Sequence, residues 1–140
     1  MRILLPVAIL LASHASGQRP VPAGRGCPYI APGTESRVHA LLSLPNLAES
    51  RINMGSASTS SVQALRGNPD DAACQSLRSA VDAQPGRTPG YYSFAFYRSG
   101  DRYFVVLTPP AMPAGKVVLR HEHAVEVYDR DFRFLARFGI

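Results

Sequence analysis

A chain of 140 residues with 46% apolar side chains has enough material for one buried core, which makes it a single globular domain and excludes a disordered or fibrous protein. Its formal charge of +5, from 15 basic and 10 acidic residues, is mild. Because the arginines are dispersed among aspartates and glutamates, the balance excludes a nucleic-acid footprint and describes a mixed-charge surface.

The chain opens with the pattern of an export signal. Met1 and Arg2 give a positive start, Ile3 to Ala12 an apolar run too short to cross a bilayer, and Ala15-Ser16-Gly17 a small-residue cleavage site. Residues 1–17 therefore read as a secretory signal cut before Gln18, with a cut after Ala15 as the alternative. No later stretch reaches membrane-spanning length, and the mature protein is expected to be secreted or periplasmic. The two cysteines, Cys27 and Cys74, are then expected to form a disulfide, since both survive processing into an oxidising compartment. A redox-active thiol would want a Cys-x-x-Cys pair or a neighbouring base, and neither is present.

Residues 18–33, rich in Pro and Gly, predict an extended arm, and residues 34–140 a single α+β domain. Thr34 is placed to cap a first helix whose Val38, Leu41 and Leu42 share a face. Pro45 interrupts it, helix resumes through Leu47 to Ile52, Met54 to Ser61 reads as loop, and Val62 to Arg66 as a short edge strand. A second helix is marked by Asn68 as N-cap, Pro69 at the first helical position and Asp70 and Asp71 at its positive end, with Ala73, Leu77, Ala80 and Val81 as its buried stripe. Pro85-Gly86 ends it.

From Tyr91 to Ile140, aromatic and β-branched residues alternate in runs split by short polar breaks, which predicts an antiparallel meander. The expected fold is two N-terminal helices packed on this four- to five-stranded sheet, with one disulfide. Ser99-Gly100-Asp101 predicts a three-residue hairpin loop that sets Tyr97 opposite Tyr103 and Phe96 opposite Phe104. On that register one face carries Phe94, Phe96, Phe104 and Val106, and the other Tyr91, Tyr97, Tyr103, Val105 and Leu107. The second hairpin turns near Asp129 to Asp131 with an even loop count, placing Val125 and Val127 with Phe134, Ala136 and Phe138, and leaving Glu126, Tyr128, Arg133 and Arg137 to solvent.

No motif specific to a reaction occurs: there is no Gly-x-Ser-x-Gly, no phosphate loop, and no cofactor is implied. Asp129 with Asp131, and Glu122 with Glu126, are carboxylate pairs, but hairpin carboxylates in water are turn residues and not an acid/base pair. His121-Glu122-His123 is the one arrangement resembling a metal site, because two imidazoles two apart on a strand share a side, and His39 is the one other histidine of the expected mature chain that could be a third ligand. Against it stands the plain reading of partly buried histidines with ordinary partners. The tyrosine face, Tyr91, Tyr97 and Tyr103 flanked by Arg98 and Arg102, is too apolar for bare solvent and is either a second core layer or a recognition surface. The functional expectation is a small exported, non-catalytic module that binds a protein or envelope component through that face. The alternative is a metal-binding protein or metal-dependent hydrolase using His121, His123 and His39.

Overall fold

The computed structural model describes residues 26–47, 52–111 and 123–140. Residues 1–17, expected to be a signal, the first half of the expected arm (18–25), residues 48–51 of the expected resumed helix and the first two residues of the His-x-His motif lie outside the described residues. The fold is α+β. Helix α1 (Thr34–Leu42) is followed by the short strand β1 (Gln63–Ala64), helix α2 (Asp71–Asp82), and strands β2 (Ser93–Ser99), β3 (Arg102–Thr108), β4 (Ala124–Tyr128) and β5 (Phe134–Gly139). All five strands form one antiparallel sheet in the order β1-β2-β3-β4-β5. No helix among the described residues is long and apolar enough to cross a membrane.

The helices cover opposite faces of the sheet. Val38 and Leu41 of α1 pack with Ala95, Tyr97, Phe104, Val106, Val125 and Val127. Leu77 and Val81 of α2 pack with Phe96, Val105, Leu107 and Tyr128 on the other side, where the Cys27–Cys74 disulfide also lies. A sheet buried on both faces has apolar residues at both parities, so the chain forms three layers.

The first hairpin corrects the expected register by one residue. Tyr97 pairs with Phe104, Phe96 with Val105, and Ser99 with Arg102, leaving a two-residue loop, Gly100-Asp101. Tyr97 and Tyr103 therefore stand on opposite faces, since opposed residues share a face and successive ones alternate. A two-residue hairpin needs a positive φ at its first central position, and Gly100 has φ 60°. The tip is clamped by the preceding loop: Asp101 Oδ1 accepts from the Ser56 amide at 3.0 Å, and that hydrogen bond is the main reason its carboxyl is held below the ordinary carboxylate range. A Cβ on Gly100 would lie 2.3 Å from Ser56 Oγ and 2.6 Å from the Ser56 backbone. Gly100→Ala should thus cost on the order of 2 kcal/mol, because strain at φ > 0 adds to that clash. Thermal unfolding checks this, and an unchanged Tm would mean that the clamp contributes nothing.

The second hairpin departs from the even loop count. Five residues, 129–133, separate the paired Tyr128 and Phe134, and a bulge beside Val127 and Tyr128 restores the parity, so that Ala136 still opposes Val127 and Phe138 opposes Val125. Phe134 consequently sits edge-on to Tyr128, with ring centroids 5.7 Å apart, on the face away from Val127. Asp129 builds the turn: its carbonyl accepts from Phe132 N at 2.9 Å and its carboxylate from the amides of Asp131 and Arg133. Phe132 takes a left-handed φ of 64°, stacked on Tyr103 at 4.9 Å.

Both helix starts differ from their expected spelling. Gly33, with φ 87°, precedes α1, and Thr34 is its first residue. The Thr34 hydroxyl is engaged elsewhere, donating to Ala31 O at 2.8 Å and sharing a 2.5 Å hydrogen bond with Tyr97 OH. Asn68, Pro69 and Asp70 form a 3₁₀ turn, and the α-helix begins at Asp71.

Candidate functional site

Three alternate residues, Tyr92 just before β2 and Phe94 and Phe96 within it, each have a guanidinium beside the ring on the α2 side of the sheet. Arg78 of α2 lies 6.0 Å from the Phe96 ring, Arg87 of the following loop 5.9 Å from Phe94, and Arg137 of β5 5.7 Å from Tyr92. Two of these cations converge on Glu126, which is only 2% exposed. Arg87 Nη2 donates to both Glu126 carboxylate oxygens at 2.6 and 2.7 Å, Arg137 lies 3.4 Å from one of them, and Tyr128 OH donates to the other at 2.8 Å. Arg87 Nε donates to Val81 O at the end of α2. Burial and the Glu126 charge push the Tyr128 phenol far above its ordinary value, so it stays protonated and donating. No buried side-chain nitrogen or oxygen among the described residues lacks a partner.

Beside this cluster opens a cleft of about 800 Å³, within the range of ligand pockets. One wall is the N-terminal arm, with Pro28, Tyr29 and Ala31. The opposite wall is the end of α2 and the loop after it, with Arg78, Asp82, Arg87, Pro89 and Tyr92. The floor is the start of β2, Ser93 to Ala95. Among the described residues no strand pairs with the floor there, because β1 is short: it pairs with Tyr97 and Arg98, and its last contact is Leu65 N donating to Phe96 O at 3.0 Å.

Most of the residues singled out from the sequence lie elsewhere. Tyr97 is fully buried under α1, where burial raises its phenol above the ordinary value. Tyr103 is half-buried on the other face with Phe132. Tyr91 is exposed in the turn before β2, edge-on to Tyr92 at 4.8 Å. Arg98 opposes Tyr103 across the hairpin. Arg102 is 8% exposed and pinned by Asn53 O at 2.8 Å and by Asp101. The structure thus separates the five residues of the expected tyrosine face. Glu126 and Tyr128, expected in solvent, are buried instead. Of the proposed ligand triad, His121 lies outside the described residues, His39 on α1 pairs with Glu35 at 3.1 Å on an exposed surface, and His123 precedes β4, its carbonyl accepting from Ile140 N. Among the described residues no three His, Cys, Asp or Glu side chains converge as metal ligands.

Comparison with protein-family models, with curated proteins and with solved structures finds no match for this chain.

Proposed function

We propose that this chain is a small exported, non-catalytic binding module that holds a segment of a protein or envelope component in the cleft between its N-terminal arm and the start of β2. The observation that carries this reading is the cleft itself, which has aromatic and proline side chains on both walls, two guanidiniums on one, and for a floor a strand edge that is unpaired among the described residues. The two faces of the sheet are spent on core packing, so recognition falls to this open end. Export is supported by the signal-like start and by the disulfide, which suits an oxidising compartment.

Site-specific photo-crosslinking in the producing cell tests the proposal. A photoreactive phenylalanine analogue replaces Tyr29, which is 55% exposed in the cleft wall, and in a second strain Leu44, which is exposed outside it. A discrete adduct is expected from position 29 alone. No adduct at 29, or the same adducts at both positions, would count against the cleft as the binding site.

A further inference from the structure

Resting on the reading of the cleft as a binding site, we infer that its occupant is an extended peptide that adds a strand to the bare edge of β2 at Phe94 and places a carboxylate on Arg78.

The strand geometry sets which backbone groups are free. Leu65 N donates to Phe96 O, so the carbonyl of Phe96, and with it its amide, points away from β3 toward β1. Outward-pointing residues recur every second position, which aims the amide and carbonyl of Phe94 into the cleft. The hairpin agrees: the closing pair of a two-residue loop exchanges both hydrogen bonds, and counting back in twos from Ser99 gives Tyr97 and Ala95, not Phe94, as the residues bonded to β3. Phe94 has no other backbone partner among the described residues. A donor and an acceptor in one edge residue, in line with β1 and set between two walls, match the main chain of an extended peptide. Side chains of such a peptide would point alternately toward the two faces of the sheet, that is, toward the α1 side at Ala31 and Thr34 and toward the α2 side at Arg78 and Arg87.

The charge requirement comes from Arg78. Three guanidiniums stand on the aromatic row, and two are committed: Arg87 to Glu126 and the Val81 carbonyl, Arg137 to Glu126 and the Tyr92 hydroxyl. Arg78 is held over Phe96 and forms no hydrogen bond or ion pair among the described residues. Asp82, one turn further along α2, also lines the cleft and is unpaired with it, the acid lying C-terminal to the base in the less favourable order for such a pair. With no hydrogen-bond or ion-pair partner among the described residues, this guanidinium keeps its planar fork of N–H donors available, and the group that fits that fork is a carboxylate. A single site next to an aspartate favours a singly charged anion over phosphate. The carboxylate is either a peptide C-terminus or an Asp or Glu side chain.

The test uses the mature chain labelled with ¹⁵N and three six-residue probes built on alternating Val and Thr: one with a free C-terminal carboxylate, one amidated, and one amidated with a Glu at its last position. The expected result is shifts of cleft amides and slowed hydrogen exchange of the Phe94 amide with the first or third probe, at least tenfold weaker binding of the amidated neutral probe, and a similar loss for Arg78→Ala. Preference between the first and third probes tells a terminal carboxylate from a side-chain one. N-methylation of the probe amides should abolish binding. Cleft shifts without Phe94 protection, or binding indifferent to Arg78→Ala and Arg78→Lys, would overturn strand addition while leaving the cleft as a binding site. Absence of any shift with all three probes would overturn this inference, while the crosslinking at position 29 judges the cleft separately.

Discussion

Glu126→Gln is expected to destabilise the fold by about 3–5 kcal/mol, the usual cost of stranding one partner of a buried ion pair. The Arg87 side chain is 4% exposed and its charge is matched at close range by Glu126, which is 2% exposed. The amide keeps the size of the carboxylate and still accepts from Tyr128, so packing is unchanged and the loss reports the orphaned guanidinium. Arg137, with 38% of its side chain exposed, stays hydrated and adds little to the loss. Equilibrium urea unfolding measures it. A paired replacement separates charge from shape: Glu126→Leu combined with Arg87→Met removes both charges and should recover most of the stability, since apolar residues of similar volume often replace a buried pair at no net cost. A loss below about 1 kcal/mol for Glu126→Gln would show that Arg87 finds water or another acceptor, and that the cluster does not hold the α2 loop against the sheet.

How far the fold can be read from the residues depends on what each pattern could distinguish. The meander was legible because β-branched and aromatic runs from Ser93 to Gly139 are bounded by Gly, Pro and Asp, and α2 because Ala73, Leu77, Ala80 and Val81 fall at helical spacing, of which Leu77 and Val81 are fully buried. The pairing of Tyr97 was not legible. Alternation fixes register only when one face is wet, and here Phe96 and Val105 are buried on one side while Tyr97 and Phe104 are buried on the other, so either register offers apolar pairs. What decides is the loop at 53–61, which holds Ser99 through Ser58 and Ser61, and Arg102 through Asn53, contacts 38 to 49 residues apart in sequence. The burial of Glu126 was not legible for a related reason. A charged residue in an alternating strand reads as solvent-facing unless a distant cation is known to meet it, and Arg87 comes from a loop whose Pro85-Gly86 and Pro89-Gly90 signal only a break. The cleft draws its walls from the arm, the end of α2 and the start of β2, and no local window contains all three. Its one sequence trace is the row Tyr92, Phe94, Phe96, alternate aromatics at the strand start.

Replacing both cysteines, Cys27→Ala with Cys74→Ala, is expected to cost about 4 kcal/mol of folding free energy in the loop-entropy account, because the bridge closes a sequence separation of 47 residues. That is a large share of the 5–15 kcal/mol typical of a domain. The bridge also has a local task, since it fastens the arm that forms one cleft wall to α2, which forms the other. Close approach at that point is built in: the Gly26 amide donates to Asp71 Oδ1, and a Cβ on Gly26 would lie 2.7 Å from Gln75 Cγ and 3.0 Å from the Asp71 carbonyl. At its far end the arm is held by Thr34 and Tyr97. Loss of the bridge should therefore free Pro28 to Ala31 while α1 stays docked, and the amides of 29–31 should exchange faster than those of β3 and β4 under conditions where the variant remains folded. In the intact protein both sulfurs are shielded, Cys27 being 1% exposed and Cys74 buried completely, so a reductant reaches them only when the arm or the whole fold opens. The rate of thiol release in dithiothreitol should then rise with urea in step with unfolding. Release that is fast and insensitive to urea would mean that the arm detaches on its own, and a cleft with so loose a wall would not hold a strand.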